Sequence, residues 1–178
     1  MKNYLWYFTF LISSLSFSQN YEPGNVIPEY GKTFEVQSPE FSTDTSSMLK
    51  VVFDVDRSFD PSQPNKLIET AARFLNLHEK AGVPLENMKV ALVLHGKAVQ
   101  DVHKDEFYRG KYPEVSTNPN LPLIENLTQK GVQVILCGQS SAHYKVTREK
   151  ADQNAKFALS AMTALVQLQN DNYRLINF

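Results

Sequence analysis

The chain has a single cysteine, Cys137, and that scarcity excludes more than any motif it carries. One thiol rules out an intramolecular disulfide, a CxxC redox pair and a cysteine-based zinc cluster. Neither GxxxxGK[ST] nor a GxGxxG after a strand is present, and there is no HExxH, so nucleotide-binding and zinc-protease readings lack their signatures. The segment CGQSS that begins at Cys137 is not the G-x-S-x-G elbow of a Ser-His-Asp hydrolase. An excess of one charge is missing too: 18 Lys and Arg stand against 19 Asp and Glu, so no basic field draws nucleic acid or an acidic membrane surface. His95, His103, His143 and Cys137 share no spacing that would gather a metal, and neither metal nor cofactor is expected.

Long apolar runs are also absent. Lys2 followed by the apolar residues 4–15 is too short for a comfortable membrane span, and Ser16-Phe17-Ser18 places small residues where a signal peptidase inspects. Residues 1–18 are therefore expected to be a signal peptide cleaved after Ser18, which directs the chain to the periplasm or the exterior. No cysteine near that point could carry a lipid, so no membrane attachment follows cleavage. Trp6, the only tryptophan, would leave with the leader, and the mature protein would show no tryptophan fluorescence. In an oxidising compartment an odd thiol is buried and inert, paired between chains, or chemically employed.

What is present is enough for one domain with a real core: 178 residues, 42% of them hydrophobic. Residues 19–47 are polar, with Pro23, Pro28 and Pro39, and read as an arm in which Val26-Ile27 lies along the domain surface. Residues 48–55, 89–95 and 132–137 are short apolar runs suited to strands buried on both faces. Leu67, Ile68, Ala71, Ala72, Phe74 and Leu75 recur at helical spacing behind caps at Asp60 or Ser62, and Gly82 with Pro84 stops that helix. Asn118-Pro119-Asn120 caps a helix over 121–130. A long helix is predicted over 149–169, with Glu149 and Asp152 at its amino end, and Asn172 turns the chain into a last strand at 173–178. The stretch 103–112, with Phe107, Tyr108 and Tyr112, reads as a lid or an oligomer contact. The alternation predicts an α/β fold, three layers with a mostly parallel sheet of four to five strands.

Asp56, His95 and Cys137 each end a strand, so they share one rim of the sheet, where ligands bind in open α/β folds. Two readings of Cys137 stay open: a thiolate nucleophile or sulfur carrier whose pKa is lowered by the amides of the following loop at 138–141 or of a helix starting there, or a small buried hydrophobe. His95 is either a base or cation beside the thiol or a structural histidine. Asp54 and Asp56 are weighed as an acid pair and, more simply, as turn formers. Gly96, Gly138, Gln139 and Ser140 would line a pocket in which backbone N–H groups hold an anion.

Several stretches together resemble the DsrE/DsrF-like family: KVVFDV, AGVPLENMKVALVLHG, Asp105 to Tyr108, NPN, GVQVILCGQS, ALSAMTALVQLQ and YRLINF, in this order from about Val26 to Phe178. The resemblance implies that the arm at 19–47 packs on a DsrE-like domain at 48–178, and that the chain assembles with itself as a trimer or hexamer. Sulfur-relay members, related to the TusBCD and DsrEFH complexes, carry a persulfide on a cysteine that Cys137 matches. It therefore implies sulfane-sulfur binding or transfer through Cys137, with a small sulfur-containing ligand or a sulfur-donor protein as partner. The alternative is a non-catalytic ligand-binding or assembly module with a structural cysteine. Asn172 stands where the family more usually has glycine.

Overall fold

The structure, a computed structural model, describes residues 21–178; the expected leader at 1–18 lies outside the described residues. Two short strands, β1 (Tyr21–Glu22) and β2 (Thr33–Phe34), form an antiparallel ribbon in the arm. The body is a five-stranded sheet of β3 (Leu49–Val55), β4 (Met88–Leu94), β5 (Gln133–Cys137), β6 (Ala155–Ala158) and β7 (Arg174–Ile176). Every pair is parallel and the order is β6-β5-β4-β3-β7. Helices α1 (Lys66–Lys80) and α3 (Asn120–Gln129) cover one face, and α5 (Ala161–Asn170) covers the other. The fold is thus α/β in three layers.

The face under α1 and α3 is sealed. Leu92, Leu94, Leu136, Leu75, Ile68, Leu123, Ile124 and Leu127 have no exposed surface, and each such aliphatic side chain stabilises the fold by roughly 1.5–3 kcal/mol. The other face holds a smaller cluster of Val52, Ala91, Val93, Cys137, Ala161, Ala164 and Tyr173. The imbalance follows from the winding. From β3 the chain steps outward through β4, β5 and β6, and α5 alone carries it back to the far edge, where β7 pairs with β3.

The structure corrects five expectations. Residues 138–141 are not a loop but the first turn of α4 (Gly138–Tyr144), because extended Cys137 caps it with its own side chain. The long helix predicted over 149–169 is an edge strand followed by a short helix. Ala155 and Ala158 fit a helical period equally well, but pairing with β5 makes them strand, Asp152 turns the chain by accepting from Asn154 N at 2.8 Å, and Ser160 caps α5. Asn65 caps α1, while Asp60 forms a local turn with Ser62. Val26 and Ile27 do not ride the surface; they are 9% and 1% exposed in the sealed core. The Asn76 side chain pins this stretch, accepting from Ile27 N at 2.9 Å and donating to the carbonyls of Ile27, Tyr30 and Gly31. Finally, the stretch 103–112 is wall rather than lid. α2 (Asp105–Lys111) tucks Tyr108 into its own chain at 1% exposure, with its hydroxyl donating to Pro61 O at 3.0 Å. Asn172 does take a left-handed conformation, φ 64°.

Candidate functional site

Side-chain alternation sets the site. In strands, successive residues point to opposite faces, so Val52 and Asp54 on β3, Val93 and His95 at the end of β4, and Ile135 and Cys137 on β5 all face α5. Leu94 pairs with Leu136, which sets His95 beside Cys137 at the carboxyl rim. His95 lies one residue past β4 but stays extended, its N–H donating to Val55 O at 2.9 Å.

Two glycines permit the close approach of backbone at this rim. Gly96 has φ 54°, and a Cβ there would stand 2.5 Å from the Asp56 carbonyl oxygen. A Cβ on Gly138 would meet the Ala158 carbonyl oxygen at 2.5 Å, so only glycine lets the end of β5 pass the exit of β6.

Hydrogen-bond donors then converge on the sulfur. Ser140 N donates to Cys137 Sγ at 3.4 Å. Gly96 N donates to Ser140 Oγ at 3.0 Å, so that oxygen is the acceptor there. Ala161, the first residue after the α5 cap, and Gln139 of α4 add the influence of their backbone N–H groups on the thiol. Burial pushes the Cys137 thiol up, yet the Ser140 hydroxyl and the N–H groups of Ser140, Ala161 and Gln139 outweigh it and hold the thiol below its ordinary value. The residue is 5% exposed, among Val52, Ala91 and Val93.

Cys137, Gly96, Gly138 and Ser140 are thus brought together. The Gln139 side chain is exposed and donates to Leu159 O at 3.4 Å rather than to the sulfur. His95 is adjacent but turns to Asp54, Nε2 to Oδ1 at 2.9 Å, and no hydrogen bond joins it to Cys137 among the described residues. Asp54 and Asp56 do not form an acid pair, since Asp56 Oδ1 accepts from Arg57 Nε at 2.8 Å. Sequence reasoning missed the Asp54–His95 pairing and the role of Ala161. The second was hidden by reading a continuous helix through Ser160, although a serine before an alanine-rich apolar run is an available cap signal.

Two clefts of about 610 Å³ lie elsewhere and neither reaches the thiol. One, beside the arm, is lined by Phe34, Val36 and Leu77, and the other by Leu49, Phe74 and Ile176. The Ser140 N–H on Sγ and the Asp54–His95 pair, not cavity size, mark the rim as the site.

A family model described as DsrE/DsrF-like family matches residues 50–178. Among solved structures, the chain is similar to a protein of unknown function, MTH1491, from Methanobacterium thermoautotrophicum. That match has 18% identity and a TM-score of 0.51, over 73% of this chain and 99% of that one. It is also similar to the YchN protein of E. coli, with 20% identity and a TM-score of 0.53, over 74% of this chain and 100% of that one. At these identities both likenesses show the fold alone. No curated protein matches the chain.

Proposed function

The chain belongs to the DsrE/DsrF-like family, and on that premise we propose that it handles sulfane sulfur, taking one sulfur atom onto Cys137 as a persulfide. One observation carries the reading: the only cysteine ends β5 and caps α4, its Sγ accepting from Ser140 N at 3.4 Å, and its thiol is held below its ordinary value. Thiolate, rather than thiol, is the nucleophile, and donors that lower the pKa raise the thiolate fraction at neutral pH. The thiolate attacks the outer sulfur of a donor persulfide, R–S–SH. A bond forms from Sγ to that sulfur, the donor's S–S bond breaks, and R–S⁻ leaves with the electron pair. The sulfur is already in the sulfane state, so no oxidant is consumed.

The reading includes export through residues 1–18 to the periplasm or beyond, and self-association as a trimer or hexamer. Support for self-association comes from the outer side of α5 and the residue leading into it, where Leu159, Met162 and Val166 are 74%, 75% and 55% exposed, an apolar patch of the kind that marks contact surfaces. The donor is a small persulfide or a sulfur-donor protein.

The purified chain, incubated with a persulfide donor and measured by intact mass, gains one sulfur, and reduction removes it. Failure to gain the sulfur, or gain by Cys137→Ser as well, removes the mechanism. The burial of Cys137 among Val52, Ala91 and Val93 favours one other reading, a structural cysteine in a ligand-binding or assembly module. In that case Cys137→Ala keeps assembly and ligand binding intact, and wild type takes up no sulfur.

A further inference from the structure

We infer that Asp54 is a positioning residue that holds His95 as the general acid for the sulfur leaving when Cys137 attacks a sulfur–sulfur bond. The inference rests on the proposed sulfur uptake and assigns the step that uptake leaves open, the fate of the departing thiolate.

The arrangement divides the work between two groups. Cys137 Sγ already accepts from Ser140 N at 3.4 Å and no hydrogen bond joins it to His95 among the described residues, so His95 is not needed to make the thiolate. Its imidazole instead gives Nε2 to Asp54 Oδ1 at 2.9 Å, which fixes the ring plane. Among the described residues Nδ1 has no protein partner, and in the protonated ring that atom carries the transferable proton. The Asp54 side chain is 15% exposed and His95 31%, so the carboxylate sits in the wall and the ring at the opening. Asp56, the other carboxylate of the rim, is engaged by Arg57.

Spacing fits the same division. β3, β4 and β5 are consecutive in the sheet and present Asp54, His95 and Cys137 on one face. Neighbouring strands lie about 4.8 Å apart. Displacement at sulfur runs in line, so the leaving sulfur stands a little over two S–S bond lengths from Sγ, roughly 4–5 Å. The strand next to the one ending in Cys137 is the one ending in His95, so a sulfur leaving on that side does so beside this histidine. The step balances. Sγ bonds to the attacked sulfur, the S–S bond breaks, its electron pair goes to the leaving sulfur, and that sulfur takes the Nδ1 proton, leaving R–SH and neutral His95, which is reprotonated from solvent.

Leaving-group dependence tests this, because a thiolate that is stable in water needs no acid while an alkyl thiolate does. The full chain reacts with an aromatic disulfide, with bis(2-hydroxyethyl) disulfide and, as a control for thiolate content, with iodoacetamide. His95→Gln slows the dialkyl reaction by roughly 100-fold and leaves the other two within about twofold. Asp54→Asn slows only the dialkyl reaction, by roughly tenfold. Equal slowing of all three reactions, or no slowing of the dialkyl one, overturns the inference. The disulfide probes need no persulfide donor, so variants that show this selectivity beside a wild type that gains no sulfur refute the sulfur reading while keeping the acid, and the converse result does the reverse.

Discussion

On one side of the sheet α1, α3 and the turn Gly96–Val102 close over Leu92, Leu94 and Leu136 and leave them no exposed surface; on the other, α5 rests its ten residues on Val52, Ala91 and Val93 through Ala161 and Ala164. Small alanines at that contact let the helix come close, and Ala161 and Ala164 share one cluster with Cys137. The same short helix leaves Asp54 and His95 partly open at the rim. The comparison teaches that stability and chemistry are assigned to different faces of the same strands, and that adjacent residues on β5 serve different ends. A reactive group is tolerated where the packing is thin, since altering it there opens little apolar core.

Leu136 and Cys137 test that division most severely. Leu136→Ala empties a fully buried position on the sealed face and is expected to cost about 2–5 kcal/mol. Cys137→Ala removes only a sulfur from the thin face and is expected to cost about 1 kcal/mol or less. Urea unfolding of the two variants against wild type measures both values. Equal losses would erase the distinction between the faces.

A smaller effect concerns the polar groups that the sealed side also hides. Burial pushes the Asp101 carboxyl up to about 6, against hydrogen bonds from Asn65 and Ser58 and the nearby Lys111 charge. Between about pH 4 and 6 the folded chain therefore holds a proton that the unfolded chain has released, so this group's contribution is greatest in acid and is lost as pH rises through 6. His103 behaves oppositely. Burial, then Lys111 and Lys150, push its ring down to about 4, so below about pH 6.5 the unfolded chain binds a proton that the folded chain refuses, and stability is lost as pH falls toward 4. The slopes oppose between pH 4 and 6 and hold wild type nearly level there. Asp101→Asn is expected to lose stability on acidification across that window and His103→Gln to gain it, each by roughly 1–3 kcal/mol. Unfolding midpoints at pH 4, 5 and 6 give the signs; like slopes in both variants would break the assignment.

How far these features were legible in the sequence depends on whether a signal is local. The strands β3, β4 and β5 announce themselves as apolar, β-branched runs, and the turns at Gly82 and Asn172 by residues that accept positive φ. The positions of Cys137, His95 and Ser140 at one rim follow from those runs. β6 was not legible, because Ala155, Ala158 and Ala161 suit a helix as well as a strand and only the ladder with β5 decides. Nor was the burial of Val26 and Ile27, which depends on Asn76, a residue far along the chain. The bond from His95 to Asp54 crosses two strands whose adjacency no spacing in the sequence encodes. Core positions are written in pattern; partnerships between polar side chains are written in topology.

The finest test of the comparison is a single hydroxyl on the thin face. Ser140 Oγ accepts from Gly96 N at 3.0 Å, and the Ser140 hydroxyl is the largest of the influences that hold the Cys137 thiol below its ordinary value. Ser140→Ala removes that hydroxyl and leaves the amides, so the thiol is expected to move partway back up, and its alkylation rate at pH 7 to fall by roughly three- to tenfold. Because Ser140 lies at the rim and outside the sealed cluster, unfolding free energy is expected to change by only about 1 kcal/mol. A pH profile of iodoacetamide alkylation reads the first effect and urea unfolding the second. If stability falls while the alkylation profile stays in place, the hydroxyl belongs to the scaffold, and the separation of work between the two faces does not extend to the residues around the sulfur.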